Sequence, residues 1–178
     1  MEKNNSEKGQ SAFLKDIERY CKRGKLEWQE PSFWVVAIYR FGQWCTSLQK
    51  RFVRKICLMA YWPLYGFITL LTGINLPITA RIGEGIRIWH FGCIVLHPNT
   101  IIGKNCDIRH DVTIGNRKTY SDVPEIGDNV DIGAGAKILG KIIIGNNVSI
   151  GANAVVLRDV PDNHIAVGVP AKIYPKKN

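Results

Sequence analysis

The sequence lacks the marks of several large protein classes. Its five cysteines, Cys21, Cys45, Cys57, Cys93 and Cys106, are odd in number and include no C-x-x-C pair. That excludes a disulfide framework and points to a reducing, cytoplasmic setting. The opening residues, Met-Glu-Lys-Asn-Asn-Ser-Glu-Lys, have no apolar run, so no secretory leader is expected. The histidines and cysteines lack close ligand spacing, and no metal is expected. A nucleic-acid-binding signature is missing too, although 24 Lys and Arg against 15 Asp and Glu give a net charge of +9.

The basic excess sits early in the chain, with 12 basic and 6 acidic side chains in residues 1–72. Without a nucleic-acid motif, it suits anionic lipid or a phosphorylated cofactor. Residues 1–73 read as a helical, basic and apolar region. One helix is expected over Ser11 to Arg23, where Phe13, Leu14, Ile17 and Tyr20 follow helical spacing and Ser11 can cap. A second is expected over Ser32 to Arg54, with Pro31 at its start. The next 19 residues, Ile56 to Ile74, carry no charge and are interrupted by Pro63, Gly66 and Gly73. They read as a broken or re-entrant segment in peripheral contact with a membrane through residues 32–74, or as a buried helix against the rest of the protein or a neighbouring subunit.

From Ile82 onward an aliphatic residue recurs every six positions. One block holds Ile82, Ile88 and Ile94, a second Ile102, Ile108 and Ile114, and a third Ile126, Ile132, Ile138, Ile144, Ile150 and Val156. A period of six fits neither a helix nor a simple hairpin. It fits a solenoid in which six residues make a short strand and a corner, and three strands make one coil. The eight-residue gap between Ile94 and Ile102 places two extra residues near His97-Pro98-Asn99, and Asn116 to Glu125 reads as an extruded loop.

The four histidines are the side chains best suited to general acid–base chemistry near neutral pH, and their places in the repeat separate them. His90 and His110 each lie two residues past an anchor and should share one column on one face; counted onward, that column reaches Asp128 and Asn146, expected as ordinary surface. His97 and His164 are expected as surface histidines. Cys93 is a rival nucleophile.

Three segments carry a family likeness: Ala80-Arg81-Ile82-Gly83-Glu84-Gly85-Ile86; Ile132-Gly133-Ala134-Gly135-Ala136-Lys137-Ile138-Leu139-Gly140; and Asp159-Val160-Pro161 with Val167-Gly168-Val169-Pro170-Ala171-Lys172-Ile173. Through them the chain from Ile82 to Ile173 resembles the serine acetyltransferase branch of the hexapeptide-repeat acyltransferases. The resemblance implies a mainly β fold, a left-handed parallel β-helix over 74–178 behind an α-helical N-terminal extension. It also implies a homotrimer with acetyl-CoA in a groove between neighbouring solenoids.

By the same resemblance His90, in Trp89-His90-Phe91-Gly92, is the general base, with Trp89 replacing a family carboxylate. Asn75 falls where the family carries the carboxylate that supports this histidine, leaving His110 or Asp111 to substitute. Gly115, Ala134, Gly135, Gly151, Ala152, Arg158 and Lys172 match positions that meet acetyl-CoA. In the extruded loop Asp122 and Val123 replace the family's Arg-His pair before Pro124, removing the cation that would grip a serine carboxylate. Sequences with this histidine-phenylalanine-glycine variant and a basic, apolar N-terminal region resemble acetyltransferases of surface-polysaccharide assembly. The implied function is O-acetylation of a sugar hydroxyl, with serine O-acetylation and a non-catalytic β-helix module as alternatives.

Overall fold

The computed structural model describes residues 12–176. The N-terminal opening, with Ser11 as the expected cap, lies outside the described residues. Residues 74–176 wind as a parallel β-helix whose strands stack into three faces. The first face stacks Arg81–Ile82, Ile101–Ile102, Glu125–Ile126 and Ile143–Ile144. The second stacks Arg87–Trp89, Asp107–Arg109, Asp131–Ile132, Ser149–Ile150 and His164–Val167, with Lys172–Pro175 returning antiparallel on the last strand. The third stacks Ile74–Asn75, Ile94–Leu96, Thr113–Gly115, Lys137–Leu139 and Val155–Val156.

The anchors stack as a column inside each face. Ile88, Ile108, Ile132 and Ile150 are in register and buried, and alternate inward positions are filled by Ile86, Cys106, Val130 and Val148. Alternation of two along each strand, repeated every six residues, gives one narrow apolar core. The tight corner between the first and second faces is closed by residues tolerant of positive φ, Asn105, Asn129, Asn147 and Asn163. Their side-chain amides bond from coil to coil, at 3.1 Å from Asn129 to Asn147 and from Asn147 to Asn163.

The register corrects one anchor. Leu96, not Ile94, pairs with Ile114, while Ile94 pairs with Ile74. Both Ile94 and Leu96 point inward, so spacing alone could not choose between them. The two extra residues therefore fall in His90-Phe91-Gly92-Cys93, opposite only His110-Asp111 in the next coil, and not at His97-Pro98-Asn99. The bulge shows in its backbone, with φ of 62° at His90, 138° at Gly92 and 34° at Cys93.

The N-terminal region differs from expectation in its boundaries. Helix α1 covers 12–19 and gives way to a small hairpin, Cys21–Lys22 with Lys25–Leu26. Helix α2, Pro31–Ser47, starts with Pro31 at its first turn and stops at Leu48, in extended conformation, so the expected single helix over Ser32 to Arg54 is divided. Helix α3, Arg51–Thr72, runs unbroken through Pro63 and Gly66 to a left-handed Gly73 cap, in place of the expected broken segment. Buried Tyr61 and Thr72 anchor α3 on either side of Pro63, so packing offsets the lost backbone bond. Only one stripe of α3 is covered, which excludes a helix wholly buried within this chain.

The first coil would leave an unpaired strand edge, and the N-terminal region covers it. Tyr39 Oη donates to Ala80 O at 2.7 Å and accepts from Ile82 N at 3.2 Å; Ser32 Oγ donates to Ile88 O at 3.0 Å; Ile88 N donates to Tyr20 Oη at 3.0 Å. Asp16, 1% exposed, accepts from Gly85 N at 2.7 Å and Ile86 N at 3.0 Å. Its other oxygen takes Arg40 Nε at 2.6 Å, and Arg40 reaches on to Ile82 O at 2.8 Å and Gly83 O at 2.6 Å.

Candidate active site

The bulge turns the corner between the second and third faces, and His90 stands exposed on it. Its ring meets that of His110 edge to face, with centroids 6.2 Å apart, as the shared column requires. No hydrogen bond among the described residues holds the His90 ring, and His110 Nδ1 is buried without a partner. The other two histidines are engaged. His164 Nδ1 lies 2.8 Å from Asp162 O. His97, expected at the surface, is buried: its Nδ1 accepts from Asn99 N at 3.2 Å, and Tyr120 of the extruded loop packs on its ring at 4.5 Å. That aromatic cover was not legible in the local sequence.

Strand register also redirects the column. Ile108 pairs with Ile132 and Ile132 with Ile150, so the corner beyond His110 continues through Ala134 and Ala152, not through Asp128 and Asn146. The extruded loop adds six residues between Ile114 and Ile126 and shifts the phase. Asp128 and Asn146 close the opposite corner, where Asp128 takes Lys104 N at 2.7 Å and Asn146 takes Asp128 N at 2.8 Å. The candidate base thus shares one corner of the prism with Ala134, Gly135, Gly151 and Ala152, while Gly115 ends a strand of the third face.

Those small residues differ in what the scaffold asks of them. Gly135 has φ 73° and faces Asn153, and a Cβ at Gly151 would meet Val167 Cγ1 at 2.7 Å, so both are needed by the fold. A Cβ at Gly115 would meet nothing within 4 Å, and its φ is ordinary. Its bareness leaves open space on the third face, as close approach of a ligand would require. Arg158 and Lys172 lie exposed at the last coil, where Arg158 Nη2 reaches Ala171 O at 3.4 Å.

The surroundings of His90 are set from the second face. Trp89 donates its indole N–H to Asp107 Oδ1 at 2.6 Å and lies under the Arg87 guanidinium at 3.7 Å, so it is fixed as a wall. Arg19 grips the same Asp107 through both carboxylate oxygens, at 2.6 and 2.7 Å. Asn75 is not bonded to His90; its Oδ1 accepts from Tyr65 Oη at 2.7 Å. The N-terminal region also brings a carboxylate, Glu30, to Arg87 on the neighbouring strand, which the repeat pattern gave no means of finding. Burial pushes the Glu30 carboxyl up, Arg87, 3.5 Å away, draws it back, and the neighbouring Glu27 adds to the rise.

Cys93 is exposed in the same bulge, while burial pushes the Cys45 and Cys106 thiols up to about 11. All five cysteines are free. Among the described residues no group of three or more His, Cys, Asp or Glu is disposed to hold a metal. Both carboxylate oxygens of Asp122 are taken by backbone amides: it accepts from Lys118 N at 3.1 Å and from Lys141 N, pinning the extruded loop to the next coil.

A parallel β-helix with an exposed imidazole and small residues along one corner suits an acyltransferase, and the comparisons show that family. Residues 124–158 match the model for the bacterial transferase hexapeptide (six repeats). The chain is 37% identical over 145 residues to a serine acetyltransferase of Synechococcus elongatus, covering 80% of this chain but 57% of that protein's length. It is 38% identical over 142 residues to WcaB of Escherichia coli K12, whose name gives it as a colanic acid biosynthesis acetyltransferase, covering 78% of this chain and 88% of that one. The structure of a serine acetyltransferase in complex with CoA superimposes with a TM-score of 0.76 at 30% identity, over 96% of this chain and 72% of that one. The chain belongs to the hexapeptide-repeat acyltransferases, in the branch that serine acetyltransferases and WcaB share.

Proposed function

We propose that this protein is an acetyl-CoA-dependent O-acetyltransferase whose acceptor is a sugar hydroxyl of a surface-polysaccharide precursor. The observation that carries the activity is the corner column, in which an exposed imidazole free of structural hydrogen bonds leads into Ala134 and Ala152. His90 takes the proton of the acceptor hydroxyl as its oxygen attacks the thioester carbonyl carbon. The C–S bond breaks, and the imidazolium returns the proton to the departing CoA sulfur. No acyl-enzyme forms, so Cys93 is a bystander.

The choice of a sugar rests on the loop. Asp122 is spent on backbone amides, and Val123 offers no charge, so neither residue can pair with an amino-acid carboxylate. The reading includes a homotrimer holding acetyl-CoA between neighbouring solenoids, with a sedimentation mass three times the 20.0 kDa of the chain. Pre-steady-state kinetics test the base: His90→Ala should lose about a hundredfold or more in kcat with CoA affinity kept, and Cys93→Ser should keep turnover. Near-normal turnover in His90→Ala, or an acetylated Cys93 in quenched samples, would overturn the mechanism.

A further inference from the structure

Helix α3 is built inside out. The stripe turned toward the protein holds Cys57, Tyr61, Tyr65, Ile68, Thr69 and Thr72, with Ile68 against the core and Tyr65 bonded to Asn75. Every exposed side chain between residues 56 and 72 is apolar or glycine, among them Met59, 68% exposed, Phe67, 63%, and Leu70, 84%. In water a helix turns its polar side outward; here the hydroxyls face the protein. An apolar strip this long is a contact surface.

Charge identifies what covers it. From residue 31 to residue 83 the sequence has six Lys or Arg and no Asp or Glu. Four of the six, Lys50, Arg51, Arg54 and Lys55, crowd the start of α3, and none is in a salt bridge among the described residues. A shallow cleft of about 410 Å³ joins Arg51, Arg54 and Lys55 at one end to Leu58, Met59 and Trp62 at the other. A cationic mouth beside an apolar wall matches an anionic headgroup and its acyl chain. A second copy of this surface offers those cations no carboxylate in return, since residues 31–83 hold none.

We infer that α3 lies in the plane of an anionic bilayer, with its outward face among the acyl chains and residues 50–55 at the headgroups. A transmembrane course is excluded by the stripe packed on α2 and on the first solenoid strand, which lipid cannot surround. In-plane helices of this kind combine buried apolar area with attraction to anionic lipid. The Gly73 cap abuts Cys93, whose backbone N lies 3.0 Å from a Cβ built at Gly73, so the docked helix brings the His90 bulge close to the bilayer. The inference stands on surface chemistry and is independent of the acceptor.

Flotation of the full chain with vesicles tests it. Protein should float with vesicles of phosphatidylcholine containing a third phosphatidylglycerol and stay behind with phosphatidylcholine alone. Each charge lost in Arg51→Gln, Arg54→Gln or Lys55→Gln should weaken partitioning about fivefold. Leu70→Ser with Phe67→Ser, both on the outward face, should abolish it while the far-ultraviolet circular dichroism is unchanged. Brominated lipid should quench tryptophan emission, and less so in Trp62→Phe. Equal flotation with neutral vesicles, or none with anionic ones, would overturn the inference. So would an oligomer that falls apart in the Leu70 and Phe67 double variant, which would assign the face to a second copy.

Discussion

Replacing Asp16 with alanine perturbs the joint between the N-terminal region and the first coil. The carboxylate is 1% exposed and bonds two amides and Arg40, whose own side chain is 10% exposed. Removing it leaves Gly85 N and Ile86 N unpaired and Arg40 without a counter-ion. Losing one partner of a buried pair costs about 3–5 kcal/mol. Arg40 retains two carbonyl acceptors, Ile82 O and Gly83 O, which argues for the lower end of that range. At about 2–4 °C per kcal/mol for a chain of this size, the melting temperature should fall by about 6–12 °C. Differential scanning calorimetry at fixed protein concentration reads the shift directly. The neighbouring Lys15 to Glu84 pair, with Lys15 half exposed, is the control: Lys15→Ala should cost about 1 kcal/mol or less. A fall in Asp16→Ala no larger than the control's would refute the view that this carboxylate ties the two regions together.

Two further predictions concern packing and pH. A Cβ on Gly103 would lie 2.3 Å from Asp128 Oδ1 and 2.5 Å from Gly127 C, so Gly103→Ala should cost about 1–3 kcal/mol in urea unfolding, whereas Gly115→Ala should leave stability unchanged and raise KM for acetyl-CoA; the reverse pattern would contradict the roles given to the two glycines. Burial pushes the Tyr20 phenol, 0% exposed, up to about 12, against about 10 in an unfolded chain. Its contribution is complete below the unfolded value and is lost as pH rises through 10 toward 12, on the order of 3 kcal/mol. Denaturation midpoints followed across that window should fall less steeply in Tyr20→Phe, and an unchanged slope would count against the assignment.

Period six exposed the solenoid because each coil repeats the same inward position, and the extruded loop was legible because Asn116 to Glu125 has no anchor. The phase slip was misplaced because Ile94 and Leu96 are both aliphatic and both inward, while Pro98 looked like the turn. That error hid the fact that His90 itself sits in the two-residue bulge. The shared corner of His90 and His110 could be counted from the anchors, but its continuation to Ala134 needed the register after the loop. Glu30 was out of reach, because its place beside Arg87 depends on how the N-terminal region folds over the first coil. The Pro63 and Gly66 interruptions suggested a break in α3, which packing against α2 overrides.

Thiol release from acetyl-CoA, followed with free serine, nucleotide sugars and glycan oligosaccharides offered in parallel, tests the central claim most directly. The account predicts release that depends on a sugar acceptor, an O-acetyl ester on the glycan product, and loss of both in His90→Ala. Release driven by serine would contradict the choice of acceptor, and no release with any of them would make the β-helix a non-catalytic module.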